Sequence, residues 1–217
     1  MGWFRKIKRK IRGKRPRIQL TGKNYVIGKR LLLDIVDILN EENIDYMLDS
    51  GTLIGLVRDG DILPWDDDVD FTLPERELEK FLAVLDRFKR RGWWISIRYM
   101  QQPFKVWKVG DLQSIKIRNK RWLFFRGRVK ADLNVKYKLD NEYYWYMLGL
   151  HKISKADQKY FDNYEEIEYE GRKVKVPAHY DEFLTLKYGD WRTPNRDYDG
   201  NKDDGTTINN NAVSNKT

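Results

Sequence analysis

The chain has 217 residues, no cysteine and a formal net charge of +9, with 8 Trp, 13 Tyr and 9 Phe. That length suits one domain with a sizeable core, and the aromatic content sets it apart from disordered chains. Disulfides and thiolate chemistry are excluded, and no apolar run reaches the roughly 18 residues of a membrane-spanning helix.

The basic start is not followed by an apolar segment, so no cleavable secretory signal is expected; with the lack of cysteine, this predicts a cytoplasmic protein. The charge is uneven. Residues 1–17, MGWFRKIKRKIRGKRPR, hold nine Lys or Arg and no acid, which leaves the remainder close to neutral. Read as a helix, Trp3, Phe4, Ile7 and Ile11 fall on one side among basic residues. An arm over residues 1–20 therefore reads equally as an anchor on an anionic membrane inner face or as a solvated basic tail. Nucleic-acid contact is the least favoured reading.

In chain order, Lys29 to Asn43 reads as a helix with an apolar stripe of Leu32, Ile35, Val36 and Leu39. Asp45 to Leu48 is a short strand running into Asp49-Ser50-Gly51-Thr52, and Thr52 to Arg58 a short helix opening on that turn. Val69 to Leu73 reads as a strand. Pro74 opens a helix over roughly Glu75 to Arg91, with acids in its first turns and Leu78, Phe81, Leu82 and Leu85 facing inward. From Trp93 to Tyr137 the pattern is β: WWISIRY, FKVWKV, SIKI, WLFF and VKADLNVKY. Asn141 to Lys152 reads as a loop or short helix. A hairpin follows near Glu165–Tyr169 and Lys173–Val176, then a helix from Tyr180 to Tyr188 stopped by Gly189. From Asp199 onward almost nothing is apolar, so residues 199–217 are expected to be a disordered tail. Residues 21–198 are thus expected to form a single α/β (α+β) domain, helices on a mixed sheet.

The most informative stretch is Leu48 to Leu73, LDSGTLIGLVRDGDILPWDDDVDFTL. On a strand, Asp68 and Asp70 share one face while Val69 and Phe71 point into the core, and Asp66 joins them if the strand geometry begins early. Grouped carboxylates repel one another unless a cation sits among them, and oxygen ligands without His or Cys favour Mg²⁺ or Mn²⁺ over zinc. The turn Ser50-Gly51-Thr52 can approach an anion closely, and Arg58, between turn and acids, is a natural phosphate partner. Each feature alone is commonplace, since acidic loops are usually solvated. Together they describe phosphoryl or nucleotidyl transfer better than glycoside hydrolysis, which needs two carboxylates and no ion. His151 and His179 have no partner at metal-ligand spacing and read as surface residues.

The same stretch resembles the signature of the LicD/fukutin family: a Gly-Thr-Leu turn, an Arg, then Pro-Trp-Asp-Asp-Asp-x-Asp. VPAHYDEFLTLKYGDWRTP is similar to that family's Val-Pro, Glu-x-Leu, Tyr-Gly-Asp-Trp, Pro block, and with the EYEGRKVKVP hairpin the resemblance spans roughly Asn40 to Pro194. It implies a nucleotidyltransferase-like fold. It also implies transfer of a substituted phosphate, such as phosphocholine or ribitol phosphate, from a CDP-linked donor to a hydroxyl of a glycan or cell-surface polymer. Asp68 and Asp70 match the family's metal-binding pair and Asp66 the acid before it. By position, Asp132 is the third acid, as metal ligand or proton acceptor, although Asp-Leu-Asn-Val stands here in place of the family's Asp-Ile-Phe-Pro. Lys108 resembles a family lysine ahead of that acid, with Lys105 competing for the role. Tyr188, Gly189, Asp190 and Trp191 match the terminal block and read as mainly structural. The rival readings are an Asp-x-Asp glycosyltransferase using a nucleotide sugar, and an inactive binding module of the same fold.

Overall fold

A computed structural model of the protein describes residues 17–121, 125–147, 151–195, 198–200 and 202–208. The amphipathic arm, apart from Arg17 onward, lies outside them, as do the first three residues of WLFF. Helix α1 (Lys23–Glu41) begins earlier than its predicted stripe and buries Leu31, Leu32, Ile35, Val36, Ile38 and Leu39. It leads to β1 (Met47–Leu48) and α2 (Ser50–Ile54), whose end widens into a π-helical turn over Gly55–Asp59. A Cβ on Gly55 would lie 2.5 Å from the Asp61 carbonyl oxygen, so glycine is what lets the chain double back toward β2 (Val69–Pro74).

The helix expected over Glu75 to Arg91 is broken into a 3₁₀ turn (Glu75–Glu77), α3 (Leu78–Ala83) and α4 (Leu85–Arg90). The break at Val84 brings Phe81 and Phe88 together in the core, ring centroids 5.7 Å apart, and leaves Leu82, expected inside, 40% exposed. Then come β3 (Trp94–Tyr99), β4 (Leu112–Arg121) and β5 (Phe125–Leu139). FKVWKV is not the strand its alternation suggests. Phe104 and Trp107 bond to each other's backbone across a tight turn and stack their rings 5.1 Å apart.

Asn141 to Lys152, read as a loop or short helix, instead contains β6 (Glu142–Met147) and the start of β7 (Lys152–Asp157). Its Tyr143, Tyr144 and Trp145 are buried, and aromatic residues packed on a sheet favour the strand. The hairpin β8 (Tyr164–Tyr169) and β9 (Arg172–Pro177) and helix α5 (Tyr180–Tyr188) follow as expected. Beyond Asp199 the chain is partly ordered: Asp204 and Thr206 are buried, and β10 (Thr207–Ile208) pairs with β7. A short polar segment holds there because Asp204 accepts from both the amide and the hydroxyl of Thr206, satisfying groups that burial would otherwise strand.

Among the described residues, β8–β9 form a two-stranded sheet and the other eight strands a mixed one. Its centre is β5, which pairs in parallel with β2 over Ala131–Lys136, antiparallel with β4, and at Tyr137–Leu139 with β6. Alternation gives the two faces opposite characters. Val69 and Phe71, Ala131 and Leu133, and Ile115 and Ile117 share the fully buried face. Asp70, Asp132 and Lys116 share the other, and that face carries the site.

Candidate active site

The floor of the site is built around Asp49, immediately after β1. Its buried carboxylate accepts hydrogen bonds from the Ser50 amide (2.7 Å), Thr72 Oγ1 (2.9 Å), Lys136 Nζ (2.9 Å) and Lys187 Nζ (3.3 Å). Burial alone would push the Asp49 carboxyl up, but the ammoniums of Lys136 and Lys187 hold it far below the usual carboxylate range. Lys136 is itself buried over the rings of Trp145 and Phe161, at 4.3 and 3.9 Å from their centroids. Burial pulls it down to about 8 against the opposing attraction of Asp49.

This floor fixes the Ser50-Gly51-Thr52 turn. Lys187 Nζ also donates to Ser50 Oγ at 3.0 Å, and the Thr52 hydroxyl accepts the Asp70 amide at 2.9 Å. A Cβ on Gly51 would lie 2.0 Å from Asp66 Oδ2, so glycine is required for that carboxylate to lie against the turn. Ser50 and Gly51 line a cavity, whereas Thr52 is buried and acts as a strut beneath Asp70. The Ser50 amide, expected to face an anion, is already taken by Asp49.

The acids come together through the parallel pairing of β2 and β5. Asp70 stands directly beside Asp132 in the register, although 62 positions separate them in the chain. One oxygen from each of Asp68, Asp70 and Asp132 lies within 4.8 Å of the others, and the same holds for Asp66, Asp67 and Asp68. Burial, with Asp67 alongside, pushes Asp66 up to about 6. Burial and the neighbouring carboxylates of Asp66, Asp132 and Asp49 push Asp70 well up. Asp132 moves the other way: burial would raise it, but Lys130 and Lys116 hold it low. Lys116 Nζ contacts Asp132 Oδ1, and Lys130 Nζ donates to Asp132 Oδ2 at 3.1 Å while also touching Asp68. Converging oxygens with two carboxyls forced toward protonation suit a hard divalent cation, which would relieve the repulsion.

Two cavities meet at these acids, one of about 720 Å³ and one of about 570 Å³, and both are lined by Arg17, Ser50, Asp67, Asp68 and Asp70. The larger extends past Arg58 to Trp65, Tyr188, Trp191 and Tyr198. The smaller runs over the sheet past Asp132, Lys116, Lys130 and Arg98.

Arg58 lines the larger cavity, but its guanidinium is engaged by Asp59 (2.7 and 2.9 Å) and by the Trp191 carbonyl (3.0 Å), clamping the C-terminal segment onto the π-helical turn. Lys108 is not brought to the acids. It is exposed between β3 and β4, its amide donates to Asp111, and it lines neither cavity, because FKVWKV forms a turn and not a strand beside β5. Lys105 donates to Tyr144 Oη at 2.5 Å instead. The lysines beside the acids are Lys116 and Lys130, which sequence reasoning missed together with Asp49, Lys136 and Lys187. Part of this was readable: Lys130, Asp132, Asn134 and Lys136 alternate along one face of β5. His179 is exposed; His151 is also exposed but lines the smaller cavity.

The family model for LicD/FKTN/FKRP, nucleotidyltransferase domain, matches residues 43–179, well over half of the chain. The chain belongs to this family. Uncharacterised proteins of Rickettsia typhi and Rickettsia prowazekii are 34% and 32% identical to it over 80 and 78 residues, or 37% and 36% of this chain and 26% and 29% of theirs. The lipopolysaccharide cholinephosphotransferase LicD of Haemophilus influenzae is 41% identical over 54 residues, 24% of this chain and 20% of its own. The matched segments thus cover less than a third of each relative. Among solved structures, ANT(2'')-Ia in complex with adenylyl-2''-tobramycin aligns over 78% of this chain and 80% of its own, with 16% identity and a TM-score of 0.41. The family segment contains β1 to β9 and all five clustered acids but ends before α5, which supplies Lys187. The mixed sheet flanked by helices is the architecture on which these family motifs are carried.

Proposed function

We propose that this chain moves a substituted phosphate, such as phosphocholine or ribitol phosphate, from a CDP-linked donor to a hydroxyl of a glycan or cell-surface polymer. The observation that carries this reading is the pairing of Asp70 with Asp132, which puts acids from two strands where two cavities join. Two substrates can then approach one set of carboxylates from opposite sides. The H. influenzae relative is named as a cholinephosphotransferase, which agrees with this chemistry.

Asp66, Asp68 and Asp70 would hold Mg²⁺ or Mn²⁺, which neutralises charge on the donor diphosphate. The larger cavity offers Trp65, Tyr188 and Trp191 to a base or choline group and Arg17 to phosphate. The acceptor hydroxyl enters from the smaller cavity; its oxygen forms the new P–O bond as the phosphoanhydride breaks, CMP leaves with the bridging oxygen, and the hydroxyl proton passes to the departing phosphate or to solvent. Asp132, held ionised by Lys116 and Lys130, is a weak base and better suited to bind the ion or orient that hydroxyl. A thermal-shift panel of CDP-choline, CDP-ribitol, CDP-glycerol and UDP-sugars with Mg²⁺ tests the donor class. A CDP-linked compound should give the largest stabilisation, and a preference for UDP-sugars would contradict the assignment.

Metal binding should depend on pH in a defined direction. Asp66 and Asp70 are raised above the ordinary value near 4, so in the metal-free protein they favour the folded state below about pH 4. The Asp66 contribution is lost as pH rises through about 6, and that of Asp70, raised well above its ordinary value, as pH rises through its own elevated pKa. A divalent cation must displace the same protons, so its stabilising effect should be smaller at about pH 5 than at about pH 7. Equal Mg²⁺-induced melting shifts at both pH values would contradict this.

The basic arm is proposed to hold the protein on an anionic membrane surface, and nucleic acid is not the expected partner. No helix among the described residues is long and apolar enough to cross a membrane. Deleting residues 1–17 should abolish most binding to anionic liposomes, and unchanged binding would remove the membrane role.

A further inference from the structure

We propose that the polar face of β3, β4 and β5 beside the acids is the docking track for a polyanionic acceptor glycan, whose backbone carries phosphate or carboxylate groups. The proposal rests on the transferase reading above and names the chemical class of its acceptor. Strands β3 and β4 contain no acid, and β5 contains one, Asp132. The remainder of the chain beyond the arm is near neutral, so this concentration of one sign is local.

The register lays the cations out in order. Lys116 lies opposite Asp132; one step further, Arg118 lies between Lys130 on β5 and Trp94 on β3. Beyond them the Arg126 guanidinium sits 5.8 Å from the centroid of the Trp94 ring. Six residues of strand separate Asp132 from Arg126, a track of about 20 Å. Lys116 and Lys130 are partly spent on Asp132 and Asp68, but Arg98, Arg118 and Arg126 form no ion pair among the described residues. Burial works against the half-buried Arg118 guanidinium and outweighs the attraction of Asp132, and the nearby charges of Arg126 and Arg98 add to the lowering. An anion laid over the three would relieve that repulsion, with planar guanidinium groups suited to phosphate or carboxylate. Trp94, 36% exposed, adds an apolar ring to the same surface.

Continuity with the chemistry makes the occupant an acceptor. Arg98, Lys116 and Lys130 line the same cavity as Asp132, so a chain lying on the track leads into the acids. The aromatic cavity lies on the other side of the carboxylates and is the donor's in this reading.

The test measures binding of a synthetic glycerol phosphate oligomer to the full-length protein without donor or metal, so failure of the transferase reading does not affect it. The comparison is with Arg118→Gln/Arg126→Gln; the basic arm is common to both proteins and cancels in their ratio. The double variant should bind about tenfold more weakly, with the salt dependence shallower by about two counterions. A neutral maltooligosaccharide of the same length should bind neither protein. If Arg118→Gln unfolds the chain, Arg98→Gln/Arg126→Gln carries the same expectation. Unchanged affinity in a folded variant would overturn the proposal, as would equal binding of the neutral oligomer. An oligothymidylate of matched charge that binds more tightly, and loses more in the variant, would also overturn it by making the face a nucleic-acid surface.

Discussion

Asp70→Asn should reduce transfer about a thousandfold or more while the protein stays folded. The carboxylate lies at the convergence of Asp68 and Asp132, so its loss removes a ligand that no neighbour can replace without moving a strand. Losing that electrostatic stabilisation costs several kcal/mol of barrier, at about 1.4 kcal/mol per factor of ten. Stability should not suffer. Burial and three neighbouring carboxylates disfavour the Asp70 charge in the metal-free protein, and the neutral amide removes that strain. Asp68→Asn should behave alike, and Asp132→Asn should also raise the Mg²⁺ requirement. The check pairs turnover in saturating Mg²⁺ with the melting temperature. Near-wild-type turnover in both Asp68→Asn and Asp70→Asn would refute the site.

The second large effect is on stability. Asp49→Ala should destabilise the fold by about 3–5 kcal/mol, because it leaves Lys136 and Lys187 as buried ammoniums without their carboxylate. Its partners Thr72 Oγ1 and the Ser50 amide are stranded as well. For a chain of this size that corresponds to a fall in melting temperature of roughly 10 °C. Lys136→Met should cost less, since Lys187 still neutralises Asp49 and the methionine stem can fill the space against Trp145, Phe161 and Phe183. Thermal unfolding of the two variants side by side decides the matter. A milder effect for Asp49→Ala than for Lys136→Met would show that Asp49 is not the centre of the network.

The contrast between these two groups of residues shows what the linear sequence could carry. Asp66, Asp68 and Asp70 were readable as a local cluster, although the strand begins only at Val69, with Asp66 and Asp68 on the segment before it; α1, β2 and α5 were readable from periodicity, which acts over neighbouring residues. The resemblance placed Asp132, and the parallel register then put it beside Asp70. The Asp49–Lys136–Lys187 network joins β1, β5 and α5, and no local pattern reports a pairing across such separations. A buried lysine also looks like a surface lysine until its covering rings are known. Lys108 misled because FKVWKV alternates like a strand, yet Phe104 and Trp107 prefer to close a turn on each other. The aromatic run at Tyr143–Trp145 hid a strand for a related reason: three successive aromatics have no period of two, and only packing decides their state.

The released nucleotide distinguishes transfer of a substituted phosphate from transfer of a sugar. With Mg²⁺, a CDP-linked donor and a glycan acceptor, cleavage of the phosphoanhydride gives CMP, and its amount should equal the phosphate gained by the acceptor. Release of CDP, or of UDP from a nucleotide sugar, would mean that a sugar C–O bond is broken at these same acids, and would contradict the account.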